Sequence, residues 1–151
     1  MPENVLQIVS FTVDELLFGL EILHIQEIIR FTEITKIPNS PLFVEGVVNL
    51  RGKVIPVIDL RKKMSMPLND YGTTSRIIIS EVDNTTVGYI VDSVNEVMYV
   101  DADNLETPPD IALSINSDFI QSIAKLEDKL LIMLDIGNVL TKKEKDTLVK
   151  E

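Results

Sequence analysis

The sequence has no cysteine, a single histidine and no long apolar run among its 151 residues. The absence of cysteine excludes disulfides, thiolate metal sites and thiol catalysis. The lone histidine, His24, has no companion for metal binding or general base chemistry, and we interpret it as a half-buried packing residue. No apolar run approaches the ~18 residues that a membrane-spanning helix needs. A chain of 151 residues can nevertheless bury a compact core without a disulfide or a metal.

Basic residues are also scarce, with 14 Lys and Arg against 24 Asp and Glu and a net charge of −10. Nucleic-acid binding depends on phosphate neutralisation by Lys and Arg, so this balance argues against it and against an anionic membrane surface. We expect protein or small-molecule partners. The N-terminus lacks the basic and apolar regions of a signal peptide, which favours the cytoplasm. A local basic run, Arg61-Lys62-Lys63, is interpreted as solvated surface on a short helix after Asp59.

The chain contains two copies of one unit. Residues 8–14 reappear 69 positions later as residues 77–83, and residues 43–60 reappear 76 positions later as residues 119–136. The change of offset predicts an insertion near residues 109–118. Two collinear matches of this kind predict a duplicated unit with pseudo-symmetry and two similar cores.

The local patterns indicate short β-strands. Residues 9–13 alternate strictly between apolar and polar, which predicts a strand with one buried face. The clearest hairpin pairs residues 44–49 with residues 54–58, and Pro56 restricts the second strand to an edge or a bulge because it has no N–H. Short strands with frequent turns are typical of sandwiches and barrels. Two copies of about five strands therefore predict two small barrels side by side.

We expect one all-β domain over residues 1–151, with short connecting helices. The first repeat unit is predicted at residues 5–66 and the second at residues 73–140. Residues 141–151 are predicted to form a charged C-terminal helix or tail.

The two copies differ in charge at one hairpin turn. Arg51-Gly52 in the first copy becomes Glu127-Asp128 in the second. Gly52 is expected to supply a positive φ at low cost. A difference confined to a turn indicates where function should be sought.

Asp59 and Asp135 occupy equivalent positions after apolar strands, which raises the hypothesis of an aspartic dyad sharing a proton. Aspartic proteases place a hydroxyl residue and a glycine directly after the aspartate, whereas Leu60 and Ile136 follow here. Each aspartate also precedes a predicted short helix, where a carboxylate caps free N–H groups. We favour the caps, and the sequence gives no support for catalysis.

Residues 46–60 read Gly-Val-Val-Asn-Leu-Arg-Gly-Lys-Val-Ile-Pro-Val-Ile-Asp-Leu and closely resemble the CheW family, the coupling proteins of bacterial and archaeal chemotaxis. Residues 18–22, 26–30 and 87–92 fit the same family, so the resemblance covers nearly the whole chain. It implies two intertwined, SH3-like, five-stranded β-barrels, which agrees with the duplication.

The resemblance implies an adaptor without catalysis and without a cofactor. Such a protein bridges the cytoplasmic hairpin tips of methyl-accepting chemoreceptors to the regulatory domain of a CheA-type histidine kinase and helps to build the receptor array. It would be cytoplasmic, monomeric when free and recruited to receptors without inserting into the membrane. In this family the receptor tip docks in the groove between the barrels.

Family positions linked to coupling fall on seven residues: Ile22, Ile25, Glu27, Gly46, Arg51, Gly52 and Gly88. The two isoleucines could instead be core residues, and the three glycines are more simply explained by backbone geometry. Arg51 differs, because a hairpin tip tolerates many polar residues and an arginine there calls for a carboxylate partner. A competing hypothesis is a small-ligand-binding β-barrel, which would have a closed apolar cavity.

Overall fold

The computed structural model describes residues 4–67, 70–107, 119–141 and 144–145. Within these residues the chain forms eleven strands, one short α-helix and three 3₁₀ turns, and Glu144 and Lys145 are helical as well. The all-β prediction is confirmed. The strands are β1 (Val5–Val13), β2 (Leu16–Glu21), β3 (Glu27–Arg30), β4 (Val44–Leu50), β5 (Lys53–Asp59), β6 (Arg76–Val82), β7 (Thr85–Val91), β8 (Ser93–Asp101), β9 (Leu105–Glu106), β10 (Ile120–Lys125) and β11 (Leu130–Leu134). The helix is α1 (Leu60–Lys63), and the 3₁₀ turns are Ile22–His24, Ala102–Asn104 and Ile136–Asn138.

The strands form two sheets, and each sheet takes strands from both halves of the chain. The first sheet has the order β3-β6-β7-β5-β4, and the second has the order β8-β1-β2-β11-β10-β9. The hairpin β1-β2 of the first half therefore lies among strands of the second half, and the hairpin β6-β7 lies among strands of the first. This exchange makes the two units intertwined.

The register of the sheets repeats the duplication seen in the sequence. Where β2 meets β11 in parallel, Gly19 lies opposite Met133, and where β7 meets β5, Gly88 lies opposite Val57. The two glycines are 69 positions apart and their partners are 76 apart, which are the two offsets of the self-match. The β4-β5 and β10-β11 hairpins also carry irregularities at equivalent places. The hairpins are thus pseudo-equivalent, while the unit boundaries at residues 5–66 and 73–140 stay a prediction.

Each sheet curls back on itself. In the second sheet, β8 continues through the 3₁₀ turn into β9, and β9 pairs with β10 at the opposite edge. In the first sheet, Thr35, which follows β3, bridges Val47 of β4 in the same way. We call the barrel formed by the first sheet the first barrel, and the barrel formed by the second sheet the second barrel. The short β9 gives the second barrel six strands where five were predicted.

Three apolar clusters form the core. A central cluster lies between the sheets and includes Phe11, Phe18, Ile58, Tyr89 and Leu134. The first-barrel cluster consists of Val48, Ile55, Val57, Ile77, Ile79 and Ile90. The second-barrel cluster consists of Ile8, Val100, Ala124, Leu131 and Met133.

Strand β1 is buried on both faces, so the prediction of one buried face is wrong. Ile8 belongs to the second-barrel cluster, whereas Phe11 and Val13 belong to the central cluster. Even the polar Ser10 is fully buried, and its hydroxyl donates to the Glu96 carbonyl at 3.2 Å. The reason is the exchange of hairpins, because it places β1 between two cores.

Strand β5 is an interior strand, between β7 and β4, rather than an edge strand. Pro56 is tolerated because β7 pairs with β5 only at Val57–Asp59, so the proline has a ladder partner on one side alone. The prediction that β5 is an edge strand at Pro56 is therefore wrong. Pro56 itself nevertheless pairs with only one neighbouring strand, as a residue without an N–H requires. A missing N–H is harmless where no neighbour needs it.

The predicted insertion near residues 109–118 lies outside the described residues, as does most of the predicted tail at residues 141–151. Glu144 and Lys145 of that tail are described and are helical. Among the described residues, no helix is long and apolar enough to cross a membrane.

Candidate functional site

The β4-β5 hairpin ends in a two-residue turn. Leu50 pairs with Lys53, so Arg51 and Gly52 alone form the turn, with φ values of 52° and 84°. Positive φ at both positions is the geometry of the primed hairpin turns, which match the twist of the flanking strands. The Gly52 N–H donates to Asn49 Oδ1 at 3.0 Å. The role predicted for Gly52 agrees with this geometry, and Arg51 shares the left-handed conformation.

The carboxylate partner of Arg51 lies in the same chain. Its guanidinium forms an ion pair with Glu27 of β3, another of the predicted coupling residues. The Arg51 side chain is nonetheless 73% exposed. A guanidinium has five N–H donors, so one exposed carboxylate leaves donors available to a partner. The pair is a charged feature on the outer end of the first barrel.

Ile22 and Ile25 lie at either end of the 3₁₀ turn that connects β2 to β3. Both are half-buried, and Ile25 packs against the central cluster. The Ile25 N–H donates to the Ile22 carbonyl at 3.1 Å, which closes the turn. Leu23, which lies between them, is 89% exposed and was not predicted as a site residue. In this segment Ile25 therefore packs on the core, while the neighbouring Leu23 is exposed to solvent.

His24 follows Leu23 and is exposed, so the prediction of a half-buried packing residue is wrong. Its backbone carbonyl accepts a hydrogen bond from the Ser80 hydroxyl, while its imidazole lies 3.8 Å from the Glu21 carboxylate. The 3₁₀ turn is held by its backbone, and the side chain is left in solvent.

Gly46 and Gly88 are buried and do not reach the surface. A Cβ on Gly46 would lie 2.5 Å from the Thr35 carbonyl oxygen, and a Cβ on Gly88 would lie 2.8 Å from Ile77 Cγ2. Both positions require close approach of the backbone, which supports the backbone-geometry explanation. They shape the barrels from inside, and a partner cannot contact them directly.

Strand β8 carries an apolar surface that the sequence reasoning missed. It is an edge strand of the second barrel, and Val97 and Tyr99 are 52% and 62% exposed. Val94 lies on the same strand, half-buried against the central cluster. By the offset of 69, Val94 is the pseudo-equivalent of Ile25. The apolar residues of this segment predict a strand. The sequence does not predict that their side chains are exposed, because an apolar residue can lie in the core or at the surface.

Arg61 is buried, so the prediction that it lies on a solvated surface is wrong. Only 8% of it is exposed. Its Nε and Nη2 donate to the two carboxylate oxygens of Asp92 at 3.0 and 2.6 Å, while Nη1 donates to Asp14 at 3.3 Å and to the Pro67 carbonyl at 2.7 Å. The bond to Asp92 raises the pKa of Arg61 against the opposing effect of burial. Burial acts against ionisation of Asp92 as well, but hydrogen bonds from Arg61 and the Asp14 N–H outweigh it and lower the pKa of Asp92.

The neighbouring lysines are paired too. Lys62 lies 2.6 Å from the Glu45 carboxylate, and Lys63 lies 2.5 Å from Glu144 and over the ring of Phe43 at 5.9 Å. The helix after Asp59 is confirmed. The solvated interpretation of the basic run is wrong for the buried Arg61 and the half-buried Lys63, whereas Lys62 is exposed as predicted. The run fixes α1 to its surroundings.

The contacts of Asp59 and Asp135 are those of helix caps. Asp59 Oδ1 accepts from the Arg61 N–H at 2.9 Å, and Asp135 Oδ1 accepts from the Gly137 N–H at 3.2 Å. Asp59 Oδ2 also accepts from the Tyr71 hydroxyl at 2.7 Å. Burial, with this bond, raises the pKa of Tyr71 well above its usual range. The preferred interpretation as caps therefore agrees with the structure.

No group of three or more His, Cys, Asp and Glu side chains among the described residues could hold a metal ion. Apolar side chains fill the described interior of both barrels, with Ile55 and Leu131 at 1% and 0% exposure. Nothing in the described part of the chain supports the ligand-binding hypothesis.

The interlocked barrels and the Arg-Gly hairpin define the class of protein. A family model, the CheW-like domain, matches residues 7–144, and the chain belongs to this family. Its role is that of a coupling adaptor in chemotaxis.

Individual proteins agree with this assignment. The chemotaxis protein CheW of Klebsiella aerogenes is 32% identical over 134 residues, which cover 89% of this chain and 81% of that protein. The chemotaxis protein CheW of Bacillus subtilis is 31% identical over 145 residues, which cover 96% of this chain and 93% of that protein. A crystal structure of the scaffolding protein TtCheW from Thermoanaerobacter tengcongensis superposes with a TM-score of 0.84 at 40% identity, covering 93% of this chain and 90% of that one.

Proposed function

We propose that this chain bridges the cytoplasmic tips of methyl-accepting chemoreceptors to a CheA-type histidine kinase, and that it does so without catalysis. The observation that carries the proposal is a surface with two kinds of contact. Arg51, paired with Glu27, is exposed at the tip of the β4-β5 hairpin, and apolar side chains are exposed on the connection between β2 and β3 and on β8. An adaptor needs two such surfaces, because it must hold two partners together.

The apolar contact suits a helical hairpin. Ile25 and its pseudo-equivalent Val94 both pack against the central cluster from the sheet edges, and Leu23 and Val97 extend these positions into solvent. Exposed apolar side chains are what the apolar face of an amphipathic helix requires for packing. The proposed docking site of the receptor tip is therefore this apolar surface, in agreement with the groove between the barrels that the family resemblance implies.

The charged contact suits a structured partner domain. Arg51 is held by a rigid turn and by Glu27, so it loses little side-chain freedom on binding. Its free donors can grip a carboxylate of the partner. The proposed location is the cytoplasm, at receptor arrays, and the free chain is proposed to be monomeric.

Co-sedimentation with receptor-bearing membranes tests this function, with CheA-type kinase present and kinase activity measured in the same samples. The wild-type chain should sediment with the receptors, recruit kinase and raise its activity. Leu23→Asp and Val97→Asp should weaken receptor binding about tenfold or more, because each puts a charge on an apolar contact. Leu42→Asp is the matched control, since Leu42 is 97% exposed in the loop before β4. Wild-type chain that binds neither partner, or apolar variants that sediment like the control, would reject the proposal.

A further inference from the structure

The buried Arg61 site has a pseudo-equivalent in the second half, and there the arginine is missing. By the offset of 76, Arg61 corresponds to Gly137, and Asp59 corresponds to Asp135. By the offset of 69, Asp14 corresponds to Asp83. The second half therefore keeps two of the carboxylates that surround Arg61 but lacks the cation.

A cleft occupies the place where the arginine would lie. It has a volume of about 220 Å³ and is lined by Asp83, Asp135 and Gly137 together with Glu21, Glu81 and His24. This is roughly the volume of seven liquid waters, which leaves room for a long side chain. The main partner of Arg61, Asp92, corresponds to Leu23 and is not repeated. Glu21 and Glu81 supply carboxylates instead, and by the offset of 69 their counterparts are the uncharged residues Ile90 and Thr12.

Little positive charge balances these four carboxylates. Among the described residues, the only lysine or arginine paired with any of them is Lys145, at 3.1 Å from Asp83. Asp83 keeps 68% of its side chain exposed despite that pair. Asp135 accepts hydrogen bonds from the Gly137 N–H and the Asn138 amide, both neutral donors. The cleft is therefore an acidic site at the place that Arg61 fills in the first half. There Glu21 and Glu81, rather than an equivalent of Asp92, are available to a guanidinium, and His24 lies 3.8 Å from Glu21.

We propose that this cleft binds an arginine side chain carried by a protein partner. The first half shows how such a guanidinium is held, by a bidentate carboxylate contact with further oxygens around it. Arginine fits better than lysine, because its planar fork grips carboxylates bidentately and is more weakly hydrated. The inference does not depend on the proposed function, because the cleft can be tested on the chain alone.

The test is a titration of the full-length, ¹⁵N-labelled chain with N-acetyl-arginine amide, followed by NMR. N-acetyl-citrulline amide is the control, since it has nearly the same size and no charge. Amide shifts should be confined to the neighbourhood of Asp83 and Gly137, and the arginine probe should bind at least ~5-fold tighter than the citrulline probe. The difference should decrease as salt rises. Equal shifts with both probes, or shifts spread over other surfaces, would overturn the proposal.

Four variants test whether the probe binds in this cleft. Gly137→Arg should close the cleft with the chain's own guanidinium and abolish probe binding, and a Cβ there meets only Asp135 Oδ1 at 3.5 Å. Gly137→Ala should leave binding unchanged. Lys145→Gln should tighten binding by freeing Asp83, while a Glu21→Gln, Asp83→Asn double variant should weaken it at least ~5-fold and tests the site even if Gly137→Arg does not fold. Unchanged binding in folded Gly137→Arg or in the double variant would contradict the assignment.

Discussion

At the scale of single residues, hydrogen-bond satisfaction separates two tyrosines with the same chemistry. The Tyr71 hydroxyl donates to Asp59, and its ring stacks on Phe31 with 4.4 Å between centroids. Tyr89 is fully buried in the central cluster, and its hydroxyl has no partner among the described atoms. Burial raises the pKa of Tyr89, so the phenol stays neutral at any ordinary pH. One hydroxyl stabilises the fold and the other does not.

Removing each hydroxyl should therefore have a different effect on stability. Tyr71→Phe should lower the free energy of unfolding by about 1–3 kcal/mol, because it removes a hydrogen bond to a carboxylate. Tyr89→Phe should leave it unchanged or raise it by up to ~1 kcal/mol, because an unsatisfied buried group is removed. Urea unfolding of both variants at neutral pH checks the pair. A Tyr89→Phe protein that loses as much stability as Tyr71→Phe would show that the hydroxyl has a partner.

At the scale of elements, the buried arginine joins segments that lie far apart in sequence. Arg61 lies on α1. Its carboxylate acceptors, Asp14 and Asp92, lie on the β1-β2 turn and on the connection between β7 and β8. Asp92 also accepts from the Asp14 N–H at 2.8 Å. The sequence could predict α1 from its cap and its position after β5. It could not predict burial of Arg61, because the carboxylates that make burial possible come from 47 and 31 residues away.

Asp92→Asn tests this junction, and its effect should depend on pH. At pH 7 the variant should lose about 1–3 kcal/mol of unfolding free energy, because a buried guanidinium loses its charged partner. The folded pKa of Asp92 is lowered, so its contribution is fully present above about pH 4, the ordinary value of an aspartate. It is lost as the pH falls through the folded pKa.

Urea unfolding of wild type and Asp92→Asn at pH 7 and near pH 3 measures the difference, which should shrink in acid. Asp128→Asn, on the exposed hairpin of the second half, is the control and should change little at either pH. A difference between wild type and Asp92→Asn that stays constant or grows in acid would contradict the assigned role of the carboxylate.

At the scale of the whole molecule, the duplication can be predicted from the residue pattern, whereas the exchange of hairpins cannot. The offsets of 69 and 76 predict equivalent hairpins, and the register of Gly19 and Gly88 agrees with both. Periodicity reports only that a face is buried and not which half covers it, so β1 was expected to have one buried face. The resemblance, rather than the residue pattern, supplied the intertwined arrangement.

The same limit applies to the candidate site. Arg51 and Gly52 stand out in the sequence because the second copy lacks them. The contact of Arg51 with Glu27 depends on closure of the first barrel, because β3 and β4 are opposite edges of the sheet and only its curling brings them together. The exposure of Leu23 and Val97 likewise depends on the folded arrangement. The cleft beside Gly137 needs both the duplication and the folded coordinates, because a missing side chain leaves no positive signal in a sequence.

The central claim is that Arg51 serves partner binding as well as its pair with Glu27. Three chains decide it: wild type, Arg51→Glu, and the charge-swapped double variant Arg51→Glu, Glu27→Arg. Arg51→Glu should change unfolding by only ~0–1 kcal/mol, since the pair is exposed. It should weaken association at least tenfold, because losing one partner of a buried interfacial charge pair typically costs ~2–5 kcal/mol. Lys129→Glu, on the exposed hairpin of the second half, is the matched control.

The most direct measurement is kinase activity in a reconstituted mixture of receptor, kinase and each chain. The charge-swapped variant restores the internal ion pair but not the arginine at the tip. We expect the charge-swapped variant to fail to activate the kinase, as Arg51→Glu does, and to unfold like the wild type. Full activation by the charge-swapped variant would contradict the account, because it would show that Arg51 acts only by holding Glu27.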